Sequence, residues 1–270
     1  MGAHFTSFTS FAKGKTPGVL PEKGITIHYF SKGELPGKKQ QLSIQNYGGT
    51  YTAEQLCMDI AQTLNITPLA FHLFALATLD LSVWLAPNEK IECSETTGVE
   101  YIFRIRVTPP KIEQLMAIDQ EAFGYCYLQC RSDFVRENCV YQDSVKQERQ
   151  LGQGLIDMLC YGREAKLSLD QLNKLKPKLF IPANTKNMFR KVWDKQRLDV
   201  NMKAQLKMEH DKSEKDSVID IKLRYIKGFL EITQRYLVEE FKITADGASV
   251  HIIVDIYREE QPGIYLAQVS

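Results

Sequence analysis

Thr52-Ala53-Glu54-Gln55-Leu56-Cys57-Met58-Asp59-Ile60-Ala61-Gln62-Thr63-Leu64 is the stretch whose reading decides the fold. Thr52 offers an N-cap hydroxyl, and Gln55, three residues on, can return a bond to the cap's own N–H, which makes a capping box. Leu56, Ile60 and Leu64 follow at helical spacing, so the stretch predicts one helix with a single apolar face. A helix this short is marginal alone in water and must bury that face on something.

Its neighbours supply the surface. Ile25 to Phe30 and Gln41 to Gln45 read as short strands joined through the turn residues Gly33, Pro36 and Gly37. After the helix, Phe71 to Ala77, Val83 to Ala86, Ile91 to Cys93 and Tyr101 to Val107 also read as strands. Two strands, a helix and more strands describe a helix laid across a small twisted sheet, a ubiquitin-like lobe over residues 25–110. Thr108-Pro109-Pro110 ends it, because consecutive prolines cannot continue a ladder. Asn65-Ile66-Thr67 fits a glycosylation sequon but reads better as a helix-ending turn before Pro68.

From Ile112 to Tyr236 the spacing turns helical, with Phe123, Tyr127 and Phe134, then Leu151, Leu155, Met158 and Leu159, then Leu223, Ile226, Phe229, Leu230 and Ile232. This predicts a lobe of four or five helices over 111–237, with Glu209 to Asp216 as an exposed charged connection. Phe241 to Ile243, Ser249 to Ile256 and Tyr265 to Val269 read as strands around turns at Asp246-Gly247 and Gln261-Pro262-Gly263. Two or three strands make no stable sheet alone, so residues 238–270 are expected to be the start of a larger β lobe cut short. Residues 1–24 read as a flexible leader.

Bulk properties agree with a soluble multi-lobe protein: 270 residues, 44% hydrophobic, 25% charged and a formal net charge of +1. No stretch has signal-peptide or membrane-spanning character, so the expected compartment is the cytosol. Six cysteines, Cys57, Cys93, Cys126, Cys130, Cys139 and Cys160, are scattered without metal spacing, and reduced thiols are expected. Cys126 and Cys130, one helical turn apart, read as a buried thiol pair.

Enzyme chemistry finds no parts. His4, His28, His72, His210 and His251 form no HExxH or Cys/His ligand cluster, so no metal is expected. Gly152-Gln153-Gly154-Leu155-Ile156-Asp157 imitates the start of a GxGxxG loop, but its third glycine is Asp157 and a helical pattern surrounds it. No phosphate-cradling loop with its lysine, HRD loop or DFG triplet is present, and no cofactor is expected.

The strongest local feature is basic. Between Leu172 and Met208 ten Lys or Arg face two acids, a local excess of eight positive charges in a nearly neutral chain. Phe189, Trp193, Val200, Ala204 and Met208 recur in the same stretch at helical spacing, so one face can bury while its flanks present cations. The candidate partner-binding residues are Phe189, Arg190, Lys191, Trp193, Lys195, Arg197, Val200, Lys203 and Lys207. The blander alternative is core plus a solvated surface; anionic lipid is a further candidate ligand. RNP-like strands, zinc spacing and recognition-helix signatures are missing, which argues against nucleic acid.

Several segments resemble the Janus kinases. In the first lobe these are Ile66-Thr67-Pro68, Leu73-Phe74-Ala75-Leu76, Trp84-Leu85-Ala86-Pro87-Asn88 and Tyr101-Ile102-Phe103-Arg104-Ile105-Arg106. In the helical lobe they are Tyr127 to Val135, Leu151 to Met158 and Ile221 to Ile226, in the family's order. The resemblance implies an α+β multi-lobe FERM fold: a ubiquitin-like β-grasp lobe, an all-helical lobe like acyl-CoA-binding protein, and the start of a PH-like β lobe. It further implies a non-catalytic module that grips the membrane-proximal cytoplasmic tail of cytokine receptors in JAK-STAT signalling. SH2 and kinase regions would lie further along the parent chain, a tyrosine kinase peripheral to the inner face of the plasma membrane or endomembranes. The alternative is a FERM adaptor joining membrane proteins or anionic lipid to the cortical cytoskeleton.

Overall fold

The computed structural model describes residues 24–32, 43–93, 97–109, 111–141, 147–182, 192–233, 236–245, 248–255 and 263–269. Strands β1 (Gly24–Tyr29), β2 (Ser43–Tyr47), β4 (Phe74–Thr78) and β6 (Thr97–Ile105) form a sheet in the order β2-β1-β6-β4. Strands β1 and β6 run parallel at its centre, with Ile27 opposite Tyr101, and the outer strands pair antiparallel. Strands β3 (Thr50–Thr52) and β5 (Lys90–Glu92) form a small second ladder.

Helix α1 (Ala53–Thr63) crosses the sheet, and its capping box is present in both directions: Gln55 N–H donates to the Thr52 hydroxyl, and Thr52 N–H donates to Gln55 Oε1. Leu56, Ile60 and Ala61 are fully buried with Ile25, Ile27, Leu76 and Phe103, which is the apolar face meeting its surface. The turn at Asn65 forms as expected, with Asn65 in the left-handed region at φ 58° and Ile66 N–H bonded to Ala61 O.

Two strand expectations are corrected. Pro68–Leu73 is a 3-10 turn, and β4 starts only at Phe74. Proline at the first helical position has its φ preset for a turn, which overrides the strand preference of the aromatic and aliphatic residues that follow. Val83 to Ala86 shrinks to a single bridge between Trp84 and Ala77, because Asp80 and Ser82 bond around Thr78 and Leu81 takes φ 60° to reverse the chain. Gly33, Pro36 and Gly37 lie outside the described residues.

The helical part contains α2 (Ile112–Ile118), α3 (Gln120–Arg136), α4 (Gln147–Glu164), α5 (Leu169–Leu172), α6 (Val192–Lys212) and α7 (Val218–Ile232). That is six helices among the described residues, one more than the upper expectation. The extra one is α5, a single turn held by a Ser168–Gln171 capping box. Glu209 to Asp216 is largely exposed, as expected, but only its end is a connection: α6 runs through it to Lys212, and Ser213 alone is fully buried. Arg163 and Arg224 donate to the Ser213 carbonyl and hydroxyl at 3.0 and 2.8 Å, which draws the turn into the fold.

Helix α3 is the centre of the molecule, with every residue from Ala122 to Phe134 buried. Among the described residues the two lobes share a core: one buried cluster runs from Ile25 and Phe103 through Tyr125 and Phe134 to Ile226 and Phe229. A second cluster, Leu155, Met158, Leu159, Leu172, Phe180 and Leu206, sits between α4, α5 and α6. Strands β7 (Glu239–Ala245), β8 (Ala248–Asp255) and β9 (Gly263–Val269) form an antiparallel meander. The turn residues Asp246, Gly247, Gln261 and Pro262 lie outside the described residues.

Candidate partner-binding helix and the joint beneath it

A helix buried all round must satisfy every polar side chain it carries. On α3 the partners come from the first lobe on one side and from α4 on the other. Gln129 Nε2 donates to Ile105 O at 3.0 Å, and its Oε1 accepts from Ile105 N–H at 2.8 Å, so its amide takes the place of a strand neighbour. Tyr125 donates to Phe103 O at 2.6 Å. Arg104 forms a bidentate pair with Asp133, which also accepts from Tyr236 Oη at 2.6 Å. Burial alone would lower the Arg104 pKa, but the Asp133 carboxylate outweighs it and the guanidinium is held more firmly protonated than usual.

On the other side Arg131 Nε bonds Asp157 Oδ2 at 3.0 Å, and Tyr127 donates to Asp157 Oδ1 at 2.5 Å. Burial pushes the Asp157 carboxyl above its ordinary value against the pull of Arg131. Asp119 caps α3 through Ala122 N–H at 2.7 Å and reaches into the first lobe to accept from Thr67 N–H at 2.6 Å. Burial opposes its charge, yet these N–H donors win and hold its pKa below the usual carboxylate value.

The Gly152-Gln153-Gly154 imitation of a nucleotide loop lies inside α4. Its glycine has a packing role, because a Cβ at Gly154 would meet Ile181 Cγ2 at 2.6 Å and Phe180 O at 2.8 Å. Cys126 and Cys130 are both buried, and all six cysteines are free. Burial pushes the thiols of Cys57, Cys139 and Cys160 up to about 12, far from the range of a nucleophile. Among the described residues no group of three or more His, Cys, Asp or Glu could hold a metal ion.

The basic stretch falls partly on α6. Phe189, Arg190 and Lys191 lie outside the described residues. Helix α6 includes Trp193, Lys195 and Arg197 in its first two turns, and its described side chains begin at Val200. From there the burial expected of the apolar stripe is inverted. Val200 and Met208 are 66% and 59% exposed, Ala204 is exposed with them, and the residue that enters the core is Leu206. Positions 200, 204 and 208 share one side of a helix and 206 falls roughly opposite, so seating Leu206 among Leu155, Met158 and Phe180 turns the stripe outward. Lys203 and Lys207 are exposed along the same outer side. The periodicity identified a stripe, but Leu206, one residue of four flanked by exposed positions, is too sparse a signal to mark the seam. Arg104 and Asp133 were legible only as parts of motifs; their pairing was not.

Comparison with known proteins agrees with this architecture. Residues 25–110 match the FERM F1 ubiquitin-like domain. The chain is 32% identical over 84 residues to the Danio rerio tyrosine-protein kinase JAK1, covering 31% of this chain and 7% of that protein. It is 33% identical over 100 residues to the Rattus norvegicus tyrosine-protein kinase JAK3, covering 37% of this chain and 8% of that protein. The chain therefore spans only a small fraction of either relative. Among solved structures it resembles the complex of the FERM and C-terminal domains of Drosophila Merlin, with TM-score 0.59, 12% identity, and coverage of 92% and 79% of the two chains. It also resembles the Dictyostelium discoideum myosin VII MyTH4-FERM MF2 domain, with TM-score 0.56, 11% identity, and coverage of 91% and 48%. No described helix is long and apolar enough to cross a membrane. Residues 25–110 are thus a FERM F1 ubiquitin-like lobe, the chain has a FERM-like fold along nearly its whole length, and about a third of it is similar in sequence to segments of two Janus kinases.

Proposed function

We propose that this chain is a non-catalytic interaction module that anchors a Janus-type tyrosine kinase to the membrane-proximal cytoplasmic tail of a cytokine receptor. Its division follows the sequence: a leader over 1–24, an F1 lobe over 25–110, a helical lobe over 111–237 and the beginning of a β lobe over 238–270. The observation that carries the reading is the outward stripe of α6, where Val200, Ala204 and Met208 lie open beside Lys203 and Lys207. Exposed apolar residues at four-residue spacing are what an amphipathic or proline-containing peptide requires, and the adjacent cations favour an acidic one. Phe189, Arg190, Lys191, Trp193, Lys195 and Arg197 extend the same surface in this reading, which places the protein at the inner face of the plasma membrane or of endomembranes.

Calorimetric titration with membrane-proximal, proline-containing receptor peptides tests it. Saturable binding that weakens with added salt and is lost in Met208→Glu is expected. Failure of every peptide, with strong recruitment to anionic vesicles instead, would transfer the surface to lipid and support the cytoskeletal adaptor.

A further inference from the structure

The outer side of α6 has a shape as well as an apolar character. Val200, Ala204 and Met208 lie four residues apart, which is the spacing of the ridges that interlock when two helices cross. At 1.5 Å per residue this ridge spans about 12 Å, close to the diameter of one helix with its side chains. Its smallest side chain, Ala204, stands in the middle, where a crossing helix comes nearest, and Val200 and Met208 rise on either side at 66% and 59% exposure.

Backbone chemistry favours the same occupant. Inside a helix the N–H and C=O groups bond one another, so the middle of α6 has none to offer an extended chain laid against it. A helical partner brings its main chain already satisfied and needs side-chain contact alone.

Charge selects the sign of that partner. The exposed side chains of α6 that are described include Lys203, Lys207 and Lys212 against one acid, Asp211. Lys212 is paired with Glu209, whereas Lys207, three residues from Ala204 and next to Met208, makes no ion pair among the described residues. A second copy of the chain is disfavoured by the same charges. An antiparallel pair of α6 helices centred on Ala204 would set Lys203 and Lys207 of one copy beside the same two lysines of the other, a repulsive contact.

We propose that α6 receives an acidic amphipathic helix of a partner protein, which crosses over Ala204 with its apolar side chains between Val200 and Met208 and a carboxylate beside Lys207. This rests on α6 being the partner surface, as proposed above, and adds the conformation of the partner and the residue, Ala204, that admits it.

The test uses the full chain with isotope-labelled Met methyl groups and three peptides of about 18 residues, long enough to hold a helix. The first has Leu along one face and Glu on both flanks, the second is the same with a central Pro, and the third has Lys in place of Glu. The Leu/Glu peptide is expected to shift the Met208 methyl saturably and to gain helical circular dichroism on binding. The Pro-interrupted and Lys-flanked peptides should each bind about tenfold more weakly, the first because its helix is broken and the second because its charge is wrong. Ala204→Leu fills the notch and should weaken the Leu/Glu peptide about tenfold at an unchanged melting temperature, while Ala204→Ser should stay within about twofold. Lys207→Glu should narrow the preference for Glu over Lys flanks at least about threefold. Equal binding of the intact and Pro-interrupted peptides, equal binding of the Glu and Lys peptides, or unchanged affinity in Ala204→Leu overturns the proposal. If proline-containing receptor peptides move the Met208 methyl and the Leu/Glu helix does not, the helical partner is wrong and the receptor surface stands; if neither moves it, both fall.

Discussion

Arg104 on β6 and Asp133 on α3 form a two-pronged ion pair across the joint of the lobes, with side chains only 3% and 0% exposed. Such a pair adds little over a well-packed apolar replacement, but breaking it strands a charge in the interior. Asp133→Ala is therefore expected to lose about 3–5 kcal/mol of stability and to melt roughly 6 °C or more below the parent. The double variant Arg104→Met with Asp133→Leu should recover much of that loss. Scanning calorimetry decides, and a single variant melting with the parent would contradict the account.

Asp119 sets an acid limit. Its folded pKa is below the unfolded value because Ala122 and Thr67 N–H groups hold the charged form. A depressed carboxyl contributes stability that is complete above the unfolded pKa of about 3.9 and is lost as pH falls through the folded value. Asp119→Asn should thus melt lower near neutrality and show a flatter decline of melting temperature below about pH 4. Parallel curves for the two proteins would remove Asp119 from the linkage.

Two glycines one turn-half apart should respond in opposite directions. Gly152 has nothing within 4 Å of an added Cβ, so Gly152→Ala should stabilise α4 by about 0.5–1 kcal/mol. Gly154→Ala drives a methyl against the Phe180 carbonyl and Ile181, and should destabilise by about 1–3 kcal/mol. Denaturant midpoints measure both, and equal effects would mean that the 180–181 segment yields freely.

Helix α6 should separate folding from binding. Leu206→Ala removes a core group and is expected to lose about 2–5 kcal/mol of stability. Met208→Ala and Val200→Ala should stay within about 0.5 kcal/mol while weakening a receptor peptide. Trp193→Ala extends the series: a loss of about 2 kcal/mol in affinity with an unchanged melt would make it an anchor, and the reverse would make it core.

Local structure was legible where one residue type does one job. Thr52 and Gln55 announced α1, and Ser168 with Gln171 carries the same signature for α5, although its single turn is too short to show periodicity. Phe71 to Leu73 misled because aromatic and aliphatic side chains are enriched in strands, while the deciding influence came from Pro68, three residues upstream. What the sequence hides is pairing at a distance. Gln129 meets Ile105 and Arg104 meets Asp133 across separations of 24 and 29 residues, and no local pattern states which buried polar group answers which. The inward edge of α6 was hidden for a related reason, since an apolar stripe does not say whether the fold or a partner covers it.

Helix α3 is fastened to the first lobe near both of its ends, by Asp119 to Thr67 at one and Asp133 to Arg104 at the other. The fastenings lie about 20 Å apart along the helix axis at 1.5 Å per residue. A beam clamped at two points transmits load but cannot swivel. Tension applied through α4, which packs against the central helix by way of Arg131 and Asp157, would therefore pass into the sheet without a hinge between them. A tail tethered on the helical side would orient the ubiquitin-like lobe as well, and the two would turn together as one rigid handle.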